Sequence, residues 1–158
     1  MDVQVLRSAR RRKTVAARLV GDVLQVRVPA WMSGDEERLA VDTMVRRVQR
    51  KEAAGAVNVA ARAALLAARH GLPVASSVRW VDNQQWRWGS CTPTESSLRL
   101  STRLAGFPSW VIDYVIVHEL AHLVVPGHGP DFWALVNRFP LTERARGFLL
   151  AKGVEDDL

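Results

Sequence analysis

The stretch Trp110–His122, which reads WVIDYVIVHELAH, would be apolar around almost its whole circumference as a helix. Such a helix is expected at the buried centre of a domain. The two histidines and the glutamate at its end therefore need an explanation. At 100° per residue, His118 and His122 differ by only about 40° in direction and about 6 Å along the helix axis. This spacing lets both imidazoles bind one metal ion.

A third histidine follows this helix. Pro126 and Gly127 end the helix and let the chain turn back, which directs His128 toward the other two histidines. Three nitrogen ligands with one position left for water are typical of a catalytic zinc ion. His70 stands instead at the end of another predicted helix, where its charge suits the helix dipole, and we interpret it as scaffold.

Glu119 has a different predicted role from its two neighbouring histidines. It points about 100° away from His118 round the helix, beside the ion rather than at it. We therefore predict that it is a general base, which takes a proton from water and returns it to a leaving amine while the ion polarises a carbonyl. Asp113 and Asp131 are candidates for orienting the ligand imidazoles, although Asp113 can equally compensate the helix dipole.

Length and composition predict one domain over residues 1–158. Of the 158 residues 48% are hydrophobic, which suffices for a sizeable core. The single cysteine, Cys91, excludes an intrachain disulfide and a cysteine-rich metal cluster, and we interpret it as a packed small residue in a reducing compartment. No uncharged apolar run reaches the ~18 residues of a membrane span, and no signal-peptide core follows Met1, so we expect a cytoplasmic protein without a membrane partner.

Basic residues form two groups along the chain. The formal net charge is +6 and the isoelectric point is about 10.6, which makes nucleic acid, nucleotides and acidic peptides candidate partners. The groups are Arg7 with Arg10, Arg11, Arg12 and Lys13, and then Arg46, Arg47, Arg50 and Lys51. No aromatic residue interleaves with either group to stack on bases, so the favoured interpretation is two solvated faces.

The rest of the chain predicts an α+β fold with a small antiparallel sheet beside helices. Two Val- and Leu-rich runs predict a β-hairpin near the N-terminus, and a capping-box pattern of Ser33 and Glu36 begins a helical region. The complete assignment is a hairpin in 1–29, scaffold helices in 33–70, strands in 77–104, the zinc-site helix in 109–125 and C-terminal helices in 129–152.

The strands of the middle region are predicted from partial alternation. They are Ser77–Val81, Gln85–Trp88 and Ser97–Leu104, with a loop at Gly89–Ser96. Trp86 and Trp88 then share one face, and the favoured interpretation is that both cover the central helix as core. The alternative is an edge strand that pairs with an extended peptide, in which Arg87 faces an anionic group. An arginine between two tryptophans can otherwise face solvent, and both interpretations of Arg87 stay open.

Tyr114 stands one turn before His118 on the same helix face. Core packing is favoured for this residue over stabilisation of an oxyanion. Arg87, Trp88 and Tyr114 nevertheless form the candidate set for substrate binding, because all three are expected near the active-site helix.

The motifs together resemble the YgjP-like metallopeptidase family, whose relatives are the SprT-like and WLM proteases. The resemblance covers about the whole chain and rests on these residues: His118-Glu119-Leu120-Ala121-His122, His128, Phe132-Trp133, Arg87-Trp88-Gly89-Ser90-Cys91 and Asp113-Tyr114-Val115. It implies a minimal zincin-like fold with one zinc ion, three histidine ligands and the glutamate base. The family is also associated with nucleotide pyrophosphatase activity towards UTP.

Three functions follow as hypotheses. The first is a zinc peptidase that acts on peptides or unfolded proteins. The second is a nucleotide pyrophosphatase of the UTP type on the same zinc site, for which Arg87, Arg99 and Arg103 are the candidate phosphate-binding cations, since no Gly-rich phosphate loop occurs. The third is a DNA-associated protease of the SprT-like kind, which the +6 charge permits.

Overall fold

The computed structural model describes residues 1–153 of the chain. Its contacts separate two units, Met1–Glu52 and Ala53–Leu158. The expectation of one domain over residues 1–158 stays a prediction. Among residues 1–153, no helix has the length and apolarity that a membrane crossing requires.

The first unit is a three-stranded sheet and a long helix. Its elements are β1 (Asp2–Ser8), β2 (Ala16–Val20), β3 (Val23–Pro29) and α1 (Gly34–Gly55), of which α1 extends three residues past the unit. The strand order is β1-β3-β2, with β3 antiparallel to β2 and parallel to β1. The first strand is absent from the sequence assignment, and the hairpin of β2 and β3 turns at Gly21, whose φ is +57°.

One face of this sheet forms the core of the first unit. Leu24, Val26 and Val28 alternate along β3 and are completely buried. The partly buried side chains that pack against them on α1 are Val41, Met44, Val45 and Val48. The helix begins with the predicted capping box: the Glu36 carboxylate accepts from the Ser33 backbone N–H at 2.9 Å, and the Ser33 hydroxyl accepts from the Glu36 N–H at 3.3 Å. The Ser33 N–H and the Ser33 hydroxyl, which both donate to the carboxylate, lower the pKa of Glu36.

The second unit is a small mixed sheet packed against helices. Its elements are α2 (Val59–His70), β4 (Ser77–Val81), β5 (Gly89–Thr92), β6 (Ser97–Ser101), α3 (Ser109–His122), α4 (Pro130–Val136) and α5 (Thr142–Ala151). The strand order is β4-β6-β5, with β4 parallel and β5 antiparallel to β6. The α+β class is therefore as expected, but the prediction of an antiparallel sheet is wrong for both units, because each contains one parallel pair.

The middle region also differs from the sequence prediction. Gln85–Trp88 is not a strand, and the predicted loop begins with the strand β5, Gly89–Thr92. A 3₁₀ turn at Pro93–Glu95 and a left-handed Ser96, with φ of 47°, join β5 to β6 as a hairpin. This pairing with β6 satisfies the backbone polar groups of a segment whose side chains alone do not favour a strand.

The helix α3 lies at the centre of the second unit, as its composition predicts. All eleven residues from Val111 to Ala121 are buried. The only two carboxylates among these eleven residues are Asp113 and Glu119. Asp113 is compensated by Arg62 of α2, which donates two hydrogen bonds to it, the second at 2.8 Å from Nη2. This ion pair fixes α2 against the centre of α3.

Candidate metal centre

Three imidazole nitrogens meet at one point beside the end of α3. The Nε2 atom of His122 lies 3.1 Å from that of His118 and 3.0 Å from that of His128, and the third side of the triangle is 3.3 Å. Two nitrogens that bind one zinc ion tetrahedrally, each at about 2.0 Å, lie about 3.3 Å apart. The triangle therefore fits a single small metal ion. Within residues 1–153, His118, His122 and His128 are the one group of potential metal ligands close enough together to hold an ion.

Each histidine reaches this point from a different part of the local fold. His118 lies in the last turns of α3 and is 6% exposed, and His122 is the final residue of the helix. The Nδ1 atom of His122 lies 2.9 Å from the carbonyl of Val125, where the chain leaves the helix. A proton on Nδ1 donates to that carbonyl, which leaves the Nε2 lone pair directed at the metal position. His128 is exposed and follows the turn at Gly127.

Burial keeps His118 neutral. Its pKa is lowered from 6.5 to about 3, mainly by desolvation and in addition by the neighbouring His122 and His128. A neutral imidazole is the form that binds a metal ion. The same burial that disfavours a charge on this ring therefore leaves it in a form that could bind a metal ion.

Tyr114 is completely buried and contacts His118 from one helical turn away. Its hydroxyl oxygen lies 3.3 Å from Nδ1 of His118, on the side of the ring opposite the metal position. Burial raises the pKa of the tyrosine hydroxyl. The residue is thus core, as the sequence favours, and its hydroxyl contacts the His118 ring.

Phe132 is a site residue that sequence reasoning did not single out. Its ring stacks on His122 with centroids 4.3 Å apart and meets His118 and His128 at 4.9 and 4.7 Å. The side chain is completely buried in α4. One aromatic ring therefore touches all three imidazoles. The motif containing it was recognised only through the family resemblance, since spacing along the chain does not reveal this packing.

The two aspartates expected to orient the imidazoles lie elsewhere. Asp113 is bound to Arg62, so its interpretation as an orienting carboxylate is wrong. Asp131 is exposed in the first turn of α4. The Nδ1 atoms of His118 and His122 instead face a tyrosine hydroxyl and a backbone carbonyl.

Glu119 lies 7% exposed on the wall of a cavity that also contains the three histidines. Gly89 of β5 approaches it closely: a Cβ atom at this glycine would lie 2.8 Å from the Glu119 Oε1 atom and 2.9 Å from its Cγ atom. It would also meet Val115 at 3.0 Å. Glycine is therefore required where β5 crosses α3, because any side chain would displace the glutamate. The Trp-Gly-Ser-Cys stretch carried this information in the sequence only as a family motif.

The cavity has a volume of about 270 Å³, and Arg87, Trp88 and Tyr114 all line it. Trp88 is buried, at 4% exposure, whereas Trp86 is 80% exposed. The interpretation that both tryptophans cover the central helix is therefore wrong for Trp86. The reason is that residues 85–88 do not form a strand, so side chains two apart do not share a face.

Cys91 lies in β5 on the cavity wall and is half-buried. Burial, with the negative charge of Glu119 as a second cause, raises the pKa of its thiol to about 11. The thiol is therefore neutral near pH 7, and it is not among the side chains grouped at the metal position within the described residues. This placement fits the interpretation of a packed small residue.

Comparison with known proteins gives a family and a fold. The YgjP-like metallopeptidase domain family matches residues 13–149. Among solved structures, the crystal structure of the metallopeptidase zymogen abylysin from Pyrococcus abyssi is similar, with a TM-score of 0.51 and 18% sequence identity over 58% of this chain and 91% of that one. Such low identity shows likeness of fold alone. No curated protein matches significantly. Because the family match spans most of the sequence, the chain belongs to the YgjP-like metallopeptidase domain family.

Proposed function

We propose that this protein is a zinc-dependent peptidase in which His118, His122 and His128 hold one Zn²⁺ and Glu119 is the general base. The observation that carries the proposal is the triangle of three Nε2 atoms, 3.0 to 3.3 Å on a side, in one cavity with a buried glutamate. Three nitrogen ligands suit zinc and leave a coordination position for water or substrate.

The chain's own residues supply the proton transfers. When bound, zinc would supply Lewis acidity to a substrate carbonyl and acidify water. Glu119 accepts the proton of the attacking water and passes it to the nitrogen of the leaving amine. Its burial on the cavity wall, beside Gly89, limits the orientations open to the carboxylate. Tyr114 holds the His118 ring through Nδ1, which keeps the Nε2 lone pair directed at the ion.

An extended peptide fits the cavity through the strand β5. The strand is last in the order β4-β6-β5, and Gly89, Ser90 and Cys91 line the cavity. A peptide strand added at such an edge gains main-chain hydrogen bonds while its scissile bond lies beside the metal position. The edge strand that was the alternative interpretation of Trp86–Trp88 is thus replaced by the segment that follows it, and we assign Arg87 and Trp88 to the binding of substrate side chains.

The arginines favour a peptide over a nucleoside triphosphate. Of the three candidate phosphate-binding cations, Arg87 lines the cavity. Arg103 donates to the carbonyl of Gln85 at 2.5 Å and lies over the Trp88 ring, 4.3 Å from its centroid. Arg99 lies in β6, opposite Ser90. Triphosphate binding needs several cations around one point. Of the three candidate arginines, one lines the cavity.

The test is the substitution Glu119→Gln in the full chain, assayed on an unfolded protein substrate and on nucleoside triphosphates. We expect cleavage of the protein substrate to fall by about 10²- to 10⁴-fold, because the base is lost, while zinc content stays at the wild-type level. Glu52→Gln, an exposed carboxylate of α1, is the matched control and should retain full activity. Full activity of the Glu119→Gln variant, or hydrolysis of triphosphates alone, would contradict the proposal.

A further inference from the structure

The positive charge of the protein is concentrated in its first unit. Residues 1–52 contain 12 of the 22 Lys and Arg residues and 7 of the 16 Asp and Glu residues, so this third of the chain carries +5 of the net charge of +6. The charge is therefore a local property of the first unit rather than of the whole surface. A local positive field of this kind attracts polyanions.

Within this unit, four consecutive cations lie at one end of the sheet. The connection between β1 and β2 contains Arg10, Arg11, Arg12 and Lys13. It lies at the end of the sheet where β1 and β3 finish, because the Ser8 carbonyl accepts from the N–H groups of Arg11 and Ala30. The acids Asp2 and Asp22 lie together at the other end, joined by a backbone hydrogen bond. Seven strand residues separate the two ends by roughly 20 Å.

An exposed tryptophan is fixed to this basic connection. The indole N–H of Trp31 donates to the Arg12 carbonyl at 2.9 Å, although the two residues are 19 apart in sequence. The side chain of Trp31 remains 63% exposed. No aromatic residue lies within this basic group in the sequence, but the fold places Trp31 against it. An indole held by its polar edge and open to solvent can stack on a planar ligand.

Four cations of the first unit, Arg10, Arg12, Lys13 and Arg27, are available to a ligand. Arg27 projects from the outer face of the sheet, since its neighbours Val26 and Val28 fill the inner face and are completely buried. Within residues 1–153, no ion pair with a carboxylate is formed by Arg10, Arg12, Lys13 or Arg27. We call Trp31 with Arg10, Arg12, Lys13 and Arg27 the cationic platform.

We propose that the cationic platform binds single-stranded nucleic acid, with a base stacked on Trp31 and the backbone phosphates bound by Arg10, Arg12, Lys13 and Arg27. Both chemical parts of the ligand are matched: stacking on an aromatic ring is tolerant of base identity, and Arg and Lys neutralise the phosphates. Every residue of the platform lies in the first unit, so the proposal does not depend on the assignment of the metal site.

Other polyanions match the platform less well. A duplex presents its phosphates but hides its base faces, so Trp31 has nothing to stack on. An anionic membrane needs a larger apolar surface beside the cations, whereas the outer face of the sheet carries Gln4 and Gln25, which are hydrogen-bonded to each other at 2.9 Å. An acidic protein segment supplies the negative charge but no planar base that could stack on the Trp31 indole. Single strands alone use both the ring and the charges.

The experiment measures binding of the full chain to labelled oligothymidylate and oligouridylate at several salt concentrations. We expect the logarithm of the affinity to fall linearly with the logarithm of salt, with a slope of about −2 to −3 for three to four phosphate contacts. Trp31→Ala should weaken binding by about 5- to 100-fold, and Trp31→Phe, which keeps a ring but loses the bond to Arg12, should retain most of it. A preference for either sugar supports the proposal and identifies the nucleic acid.

Matched charge variants separate the platform from general attraction. Arg12→Gln with Lys13→Gln removes two charges from the platform, and Arg46→Gln with Arg50→Gln removes two exposed charges from α1. The first pair should weaken binding strongly and reduce the salt slope by about 1.4, while the second should leave the slope unchanged. Trp86→Ala, which removes an exposed tryptophan of the second unit, should bind as wild type.

Three results would overturn the proposal. One is equal weakening by both charge pairs, which would show attraction to net charge without a defined surface. Another is wild-type affinity of the Trp31→Ala variant. The third is binding to phosphatidylglycerol vesicles, or to duplex of the same length, at least as tightly as to the single strands. Circular dichroism of each variant confirms that the fold is intact before the comparison is made.

Discussion

At the scale of single residues, the candidate site depends on contacts that leave no room for change. Gly89 is the clearest case, because a Cβ atom there would lie under 3.0 Å from two atoms of Glu119. Contacts this short force the glutamate to move. A displacement of about 1 Å in a catalytic group costs on the order of 10²-fold in rate.

We therefore expect Gly89→Ala to lose about 10²-fold or more in peptidase activity. The variant should retain zinc, because the three atoms nearest to the new Cβ belong to Glu119 and Val115 and not to a histidine. Gly147→Ala in α5 is the control, because a Cβ atom there meets nothing within 4 Å. Steady-state kinetics and metal analysis of both variants check the prediction. Undiminished turnover of Gly89→Ala would show that the carboxylate position is not critical.

Cys91 gives a prediction for pH dependence at the same scale. Alkylating reagents attack the thiolate, and burial raises the pKa of this thiol to about 11. In chelator-treated folded protein, the alkylation rate should be low at pH 8 and rise about tenfold per pH unit until it levels off near pH 11. In the urea-unfolded chain, the alkylation rate should level off about two pH units lower. Mass spectrometry measures the alkylation rate at each pH. A rate that levels off below pH 9.5 in the folded protein would contradict the buried position of the thiol.

At the scale of elements, α4 completes the site by placing Phe132 against three imidazoles that come from α3 and the turn after it. Such packing restrains ring orientation without taking part in coordination. Residues that orient metal ligands typically change the affinity by about 10- to 100-fold when they are altered. In the proposed metal site, the position of α4 should therefore affect metal affinity through the orientation of the three imidazoles.

We expect Phe132→Leu to weaken zinc binding by about 10-fold or more while the unit stays folded, because leucine fills the core but cannot stack on His122. Competition with a chelating dye measures the affinity. Phe139→Leu, an aromatic residue of the same unit that is 6% exposed and contacts His70 rather than the ligands, is the control. Equal zinc affinity in wild type and Phe132→Leu would remove the orienting role from this ring.

Some elements could be predicted from sequence and others could not, for physical reasons. The helix α3 was predictable because its apolar circumference and its His spacing are local properties of the chain. The strand β1 was missed because five of its seven residues are exposed and its partner β3 is parallel and about twenty residues away. The strand β5 was missed because Gly-Ser-Cys-Thr becomes a strand only through pairing with β6.

At the scale of the whole molecule, the same difference between local and long-range information recurs. The three proposed ligands and Glu119 were predicted from a span of eleven residues, whereas the contacts of Phe132, Gly89 and Trp31 depend on segments that meet only in the folded chain. Net charge, a property of the full sequence, became informative only when the structure assigned it to residues 1–52.

The central claim is that three imidazoles hold one zinc ion, and zinc titration of the full chain tests it most directly. Calorimetry on chelator-treated protein should give one zinc per chain for wild type and for Glu119→Gln, together with a higher melting temperature in zinc, because binding to the folded state stabilises it. His122→Ala should lose the tight binding and the thermal shift while remaining folded. Zinc binding by His122→Ala with wild-type affinity, or a folded wild-type protein that binds no zinc, would contradict the account.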